Sequence, residues 1–309
     1  MSRNQITNQI LMIRPAHFGA NPETAASNAF QESAETADKE SIAHLAIQEF
    51  DGIVAQLISR GLDVYLVKDT PSPQKPDAIF PNNWISFHQC GTLVVYPMMS
   101  ASRRQEVRND VIEEIGNHFK IPDVWRLDRE SHGEFLEGTG SLVLDRENRI
   151  AYACRSPRTS PKLLKRFCER LKFAPHLFDA TDPNGQPIYH TNVMMALTQK
   201  YALVCMEAIP NPKQKEQLRQ RLEKSGKVLL EISFDQVQRF AGNVLQLERP
   251  GEKPVLMVSA KAISSFNDEA RSLLGEESEI LCAEIPTIEK FGGGSIRCML
   301  AEIFPPQEN

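Results

Sequence analysis

The segment Phe291-Gly292-Gly293-Gly294-Ser295-Ile296-Arg297-Cys298 sets a cysteine between three consecutive glycines and an apolar run over 299–304. Glycine admits backbone conformations closed to residues with a Cβ and lets the chain approach a ligand closely. The apolar run reads as a buried strand, so Cys298 sits at its first turn, on rigid backbone at the mouth of a pocket. A thiolate held there attacks carbonyl-like carbon. A core cysteine after a flexible loop gives the same local sequence, because free cysteine is among the most buried residue types. The segment alone leaves both readings open.

The elements that must position Cys298 repeat along the chain. Apolar runs over 83–87 and 92–96 flank a turn at Gly91, and a helical segment follows over 102–119. The same order returns as 140–144, 149–153 and a helix over 161–171, then as 192–197, 201–205 and a helix over 212–224. It returns again as 243–247, 255–258 and helical sequence over 260–274. β-rich runs bounded by turn residues predict strand pairs, and the amphipathic stretches between them predict helices. A fifth copy is split: 297–304 supplies its first strand, 9–13 its second, and 41–60 its helix. That helix places Ile42, Leu45, Ala46, Ile53, Leu57 and Ile58 largely along one face. Each unit also has a preceding apolar strand, such as 64–67 or 228–232.

First strands begin at 83, 140, 192, 243 and 297, a period of roughly fifty residues that signals a propeller-like or circular array. A last copy completed by the N-terminal strand predicts a closed ring. The expected fold is therefore an α/β, five-bladed propeller, with 1–309 as one domain of five modules. Equivalent positions of a closed array face one centre. Those positions carry Asn82-Asn83, Glu137-Gly138-Thr139-Gly140, His190-Thr191-Asn192, Gly242-Asn243 and Arg297-Cys298. Polar residues at strand starts are common, since turns favour Asn and Gly. One Cys, one His and one Glu at equivalent points are not.

Composition narrows the partners. A formal net charge of −5 argues against nucleic acid or an anionic membrane as the main partner. Hydrophobic residues at 41% and charged ones at 24% predict a sizeable core. No apolar run approaches the ~20 residues that span a bilayer, and 1–9 carries no hydrophobic leader core, so a cytoplasmic location is expected. The six cysteines are scattered without a C-x-x-C pair, which gives a disulfide framework or a zinc site no support. The triple glycine is followed by Ser295-Ile296 and not by the Lys-Ser/Thr of a phosphate loop, so no cofactor and no metal are implied.

Taken together, Glu137 to Gly140, His190-Thr191-Asn192 and Gly292 to Cys298 resemble the E-G-G-D, H-x-D and G-G-G-x-x-x-C-type motifs of the deiminases. The chain resembles the pentein superfamily of arginine deiminases, dimethylarginine hydrolases and amidinotransferases over nearly its whole length. Within it, the chain is most similar to the citrulline-utilisation hydrolase (citrullinase, or citrulline ureidase) group. The resemblance implies a fan of five αβ modules about a pseudo-fivefold axis. It implies Cys298 as nucleophile, His190 as general acid–base and Glu137 as the acid that orients that histidine, with Glu134 as a rival. It also aligns Arg158 with an arginine that clamps the substrate α-carboxylate, for which a planar guanidinium is suited. Arg155 is equally well read as a surface salt bridge, and Asn243 either lines the pocket or opens a strand.

Departures from the pattern speak to substrate. Deiminases grip a cationic guanidinium with two aspartates, where this chain reads Phe80-Pro81-Asn82-Asn83 and His190-Thr191-Asn192. A buried cation without a counter-charge is costly, whereas an amide can both accept from and donate to a neutral ureido group. Gly140 removes a further potential carboxylate, while Asp77 upstream restores some negative charge and keeps arginine open as a substrate. The expected activity is hydrolysis of L-citrulline to L-ornithine, carbon dioxide and ammonia in the cytoplasm. Arginine deimination and amidinotransfer are the enzymatic alternatives. A ribosome-binding, non-catalytic pentein is the other, and it fits poorly with a retained Cys, His and Glu. The oligomeric state stays open, a homo-oligomer included.

Overall fold

The computed structural model describes residues 4–25, 28, 30–32 and 39–306. Among the described residues, fifteen strands form five sheets of three. Strands β1 (Gln9–Arg14) and β2 (Asp63–Lys68) run parallel. The second sheet holds β3 (Ile85–His88), β4 (Thr92–Val95) and β5 (Asp123–Arg126), and the third β6 (Val143–Asp145), β7 (Ile150–Cys154) and β8 (Ala174–Phe178). The fourth holds β9 (Met195–Leu197), β10 (Tyr201–Val204) and β11 (Val228–Glu231), and the fifth β12 (Leu245–Leu247), β13 (Val255–Ser259) and β14 (Glu279–Ala283). Finally β15 (Ala301–Ile303) returns to pair antiparallel with β1, Gln9 opposite Ile303. Each sheet is an antiparallel pair whose second strand takes a parallel partner after a helical crossover, as parallel pairing requires.

The expected fivefold repeat is present, with one correction. The strand preceding each apolar pair belongs to the sheet before it: β2 pairs with β1, and β11 with β10. Contacts pass from β15 to β3, from β3 to the turn Gly138–Ser141, from β6 to β9, from β9 to β12, and from β13 to the turn Ile296–Met299 just ahead of β15. They run round the five sheets and back to the first.

Burial explains the sequence patterns. Middle strands β4, β7, β10 and β13 are buried throughout and read as unbroken apolar runs, because both faces are covered. Third strands lie at the rim and are less buried, as in β11, whose Val228 is exposed. The helix Pro161–Leu171 starts where Ser160 accepts the N–H of Leu163 and proline occupies the first turn. It stops at Lys172, whose φ of 59° is left-handed, and buries Leu163, Leu164, Phe167, Cys168 and Leu171. Asn211 caps the helix Pro212–Lys224 in the same way.

The helical segment 102–119 divides into Ala101–Arg104 and Asn109–His118, separated by the extended backbone of Arg108. In the long helix Lys39–Ser59, Phe50 and Val54 complete the buried stripe, while Leu45 and Ile58 face outward. No helix among the described residues is long and apolar enough to cross a membrane.

Candidate active site

Four of the five strand pairs are entered through a short helical turn and not directly, and these turns carry the polar residues inward. They are Pro81–Asn83, Gly138–Ser141, Thr191–Met194 and Ile296–Met299. Cys298 lies on the last, buried, its N–H bonded to the Ser295 carbonyl at 3.0 Å. The glycines ahead of it wrap one aromatic ring. A Cβ on Gly292 would stand 2.8 Å from the ring of Phe80, and one on Gly294 2.9 Å. Gly293 takes φ +62°, and a Cβ there would meet Asn28 Nδ2 at 2.5 Å. Only a backbone without side chains passes so close.

Two amides reach the sulfur. Asn243 Nδ2 lies 3.3 Å and Asn192 Nδ2 3.6 Å from Cys298 Sγ. The Asn243 amide also donates to the Asn192 carbonyl at 3.2 Å, and the Oδ1 atoms of both side chains are buried without a partner.

His190 precedes the turn Thr191–Met194, and its Nε2 is 2.7 Å from Glu137 Oε2. Glu137 is fixed in turn, accepting the Met99 N–H at 2.9 Å, with Arg158 Nη1 3.5 Å from Oε2. Burial alone would raise the Glu137 carboxyl, but Arg158, the bond from His190 and Arg103 outweigh it and bring it down to about 2. Burial lowers His190 to about 4 against the pull of Glu137, with Arg158 and Arg103 lowering it further. The resting pair is therefore a carboxylate and a neutral imidazole. With Glu137 holding the hydrogen on Nε2, the ring lone pair sits on Nδ1. That atom faces Gly140, where a Cβ would stand 2.8 Å away. Gly140 is thus required by the packing of the imidazole, and an aspartate would not fit in its place.

A pocket joins Cys298 and His190 to Asn83, Asp77, Arg103 and Arg158. Asp77 accepts from Asn21 Nδ2 at 2.7 Å and faces Arg103 Nε at 3.7 Å. Arg158 lies over the ring of Tyr189, 4.9 Å from its centre, and both border a wider apolar cavity alongside. Asn82 is fully buried but lies outside the pocket lining, and Asn192 approaches the sulfur from an axial cavity it shares with Thr139 and Arg297. Glu134 bonds Ser160 and Lys162 near the surface, which leaves Glu137 as the partner of His190. Arg155 forms an exposed ion pair with Asp179.

Arg103 and Tyr189 escaped the sequence reading, and Phe80 entered it only as the first residue of a motif. Arg103 pairs with Glu106 three residues on, a spacing that on any surface helix marks a solvated pair, so nothing local tells of its burial.

The family described as N,N dimethylarginine dimethylhydrolase, eukaryotic, matches residues 14–305. No curated protein sequence matches the chain. Among solved structures, a complex of an AgrE mutant with L-arginine is similar at 17% identity and a TM-score of 0.74, over 97% of this chain and 41% of that one. The chain thus spans about two fifths of AgrE. The product-bound N-terminal domain of ArgZ, an arginine dihydrolase from the ornithine–ammonia cycle in cyanobacteria, is similar at 17% identity and a TM-score of 0.73, over 98% of this chain and 99% of the domain. A mutant DDAH from Pseudomonas aeruginosa complexed with citrulline is similar at 15% identity and a TM-score of 0.67, over 97% of this chain and 100% of that one.

Proposed function

The chain belongs to the N,N dimethylarginine dimethylhydrolase family, of pentein fold, and from that premise we propose that it hydrolyses the ureido group of L-citrulline through a covalent intermediate on Cys298. The charge of the pocket carries this reading. Among its described lining residues the one carboxylate, Asp77, is already held by Asn21 and faced by Arg103, while two guanidiniums, Arg103 and Arg158, line the same space. A neutral ureido group is tolerated there, and a third buried cation would lack a counter-charge.

Neutral His190 takes the Cys298 proton on Nδ1, and Glu137 stabilises the imidazolium so formed. The thiolate, with the Asn243 and Asn192 amides beside it, attacks the ureido carbon. The imidazolium returns its proton to the departing nitrogen, releasing ammonia and leaving a carbamoyl thioester. Water, deprotonated by the same imidazole, attacks that carbonyl and expels the thiolate. The released N-carboxy-ornithine loses carbon dioxide to give ornithine. Arg158, at the pocket's border with the wider cavity, receives the α-carboxylate.

Hydrolysis of arginine is the second reading, and Asp77 is the observation that favours it. Ornithine and ammonia release from citrulline, arginine and dimethylarginine by the purified protein separates the two. Citrulline should lead by at least about tenfold in kcat/KM, and arginine consumed faster than citrulline would replace the first reading by the second.

A further inference from the structure

Asn83 and the buried arginine behind it form an arrangement that the reaction above does not yet use. Arg103 donates from Nη1 to Asn83 Oδ1 at 2.8 Å. A guanidinium has donors only, so the end of the amide facing Arg103 must be its oxygen, and the NH2 must face the other way. Arg103 has no freedom to release that oxygen. Glu106 takes its Nε and Nη2 at 2.8 and 2.9 Å, the Phe80 carbonyl lies 3.3 Å from Nη2, and Arg103, Glu106 and Asn83 are all buried. Flipping the amide would set N–H against N–H at a buried position.

The other end of the amide is the informative one. Asn83 Nδ2 is buried and has no hydrogen-bond partner. It lies beside the open side of Gly140, where a Cβ would stand 2.4 Å from it and 2.8 Å from His190 Nδ1. An unpartnered buried donor next to the atom that moves the proton calls for an acceptor supplied by the substrate.

Resting on the citrulline reading, we infer that Arg103 is a positioning residue that locks the Asn83 amide, NH2 inward, so that it selects a reacting group bearing oxygen. A ureido oxygen accepts that N–H and holds it more strongly as negative charge gathers on it in the tetrahedral intermediate. A guanidinium presents only further N–H groups to it. Because the bond strengthens along the reaction, its loss falls on kcat more than on KM.

The test is a pair of variants assayed with citrulline and arginine. In Arg103→Gln the new amide can accept from Asn83 Nδ2, which frees the flip. In Asn83→Asp the inward donor is gone while Arg103 and Glu106 keep each other's charge. Each should lower kcat on citrulline by about 100-fold, leave its KM nearly unchanged, and collapse the citrulline-to-arginine ratio of kcat/KM. If Arg103→Gln alone does not fold, Arg103→Gln with Glu106→Gln removes both buried charges, and Asn83→Asp stands as the independent measurement. A merely structural role lowers both substrates together, so a folded variant with an unchanged ratio overturns the inference while the citrulline reading stands. No ornithine from citrulline with the native protein overturns that reading and the inference with it.

Discussion

Replacing Gly140 by alanine adds one carbon at the point where two parts of the proposed machinery meet. The new Cβ would lie 2.4 Å from Asn83 Nδ2 and 2.8 Å from His190 Nδ1, against 3.4 Å for an ordinary contact, so the two groups must retreat by roughly 1 Å and 0.6 Å. Neither can do so freely. His190 is tied through Nε2 to Glu137, itself held by the Met99 N–H, and Asn83 is tied through Oδ1 to Arg103. Overpacking of this kind costs about 1–3 kcal/mol of stability. Misplacing a proton-transfer group by the better part of an ångström costs about 100-fold in rate. Gly140→Ala should therefore fold, melt a few degrees lower, and lose about two orders of magnitude in kcat on citrulline. Steady-state kinetics beside thermal unfolding reads both effects. Native kcat in a folded Gly140→Ala protein would refute the packing argument, because the imidazole would then have somewhere else to go.

Cys298→Ser should fold normally, since the residue is buried with two amide donors that a hydroxyl also satisfies, and lose nearly all turnover. Mass spectrometry after iodoacetamide should find Cys298 alkylated as activity falls, and native activity in Cys298→Ser would remove the cysteine from the mechanism. Acid should weaken the fold in two stages. His190 sits at about 4 when folded against about 6.5 when unfolded, so its contribution of about 3 kcal/mol is whole above pH 6.5 and lost as pH falls through 4. Glu137, at about 2 against 4.5, is whole above 4.5 and is lost as pH falls through 2. Urea midpoints from pH 7 to 4 should slope downward, and His190→Asn should flatten that slope. Removing residues 1–15 takes out β1, the middle strand of its sheet, with Ile10, Leu11 and Met12 wholly buried and Ile13 at 2% exposure. The loss of four such side chains, roughly 6–12 kcal/mol, rivals the stability of a whole domain, so a soluble, active truncation would contradict the sheet order.

Much of this architecture is readable before any coordinates, because its middle strands and helices obey local rules. The spans 161–171 and 212–224 coincide with the helices Pro161–Leu171 and Pro212–Lys224, each announced by a capping side chain and a first-turn proline. The split fifth sheet follows from periodicity alone, as does the pairing of β15 with β1. What periodicity does not report is how a strand is entered. Residues 140–144, 192–197 and 297–304 read as continuous strands, yet their first few residues coil into helical turns. Nothing in alternation distinguishes a polar residue at a strand start from one on a turn aimed inward. The same blindness covers the amides: Asn83 stands on the pocket, Asn192 beside the sulfur on the axial side, and Asn82 on neither. Side-chain direction is set by tertiary packing, and one Asn looks like the next in sequence.

The antiparallel pairing of Gln9 with Ile303 also governs when the site can exist. Bringing together residues so distant along the chain carries a loop-closure entropy of about 5 kcal/mol, a cost met only once the contacts of the other sheets shorten the path. Folding dominated by such non-local pairing is slow. The turn that carries Cys298 and the ring of Phe80 around which its glycines wrap come from opposite sides of that closure. Until the last sheet forms, a chain holding four finished sheets lacks the β15–β1 pairing that seats the Cys298 turn against Phe80. Recovery of turnover during refolding should therefore lag behind recovery of helical signal, and enzyme activity becomes a clock for the final closing step.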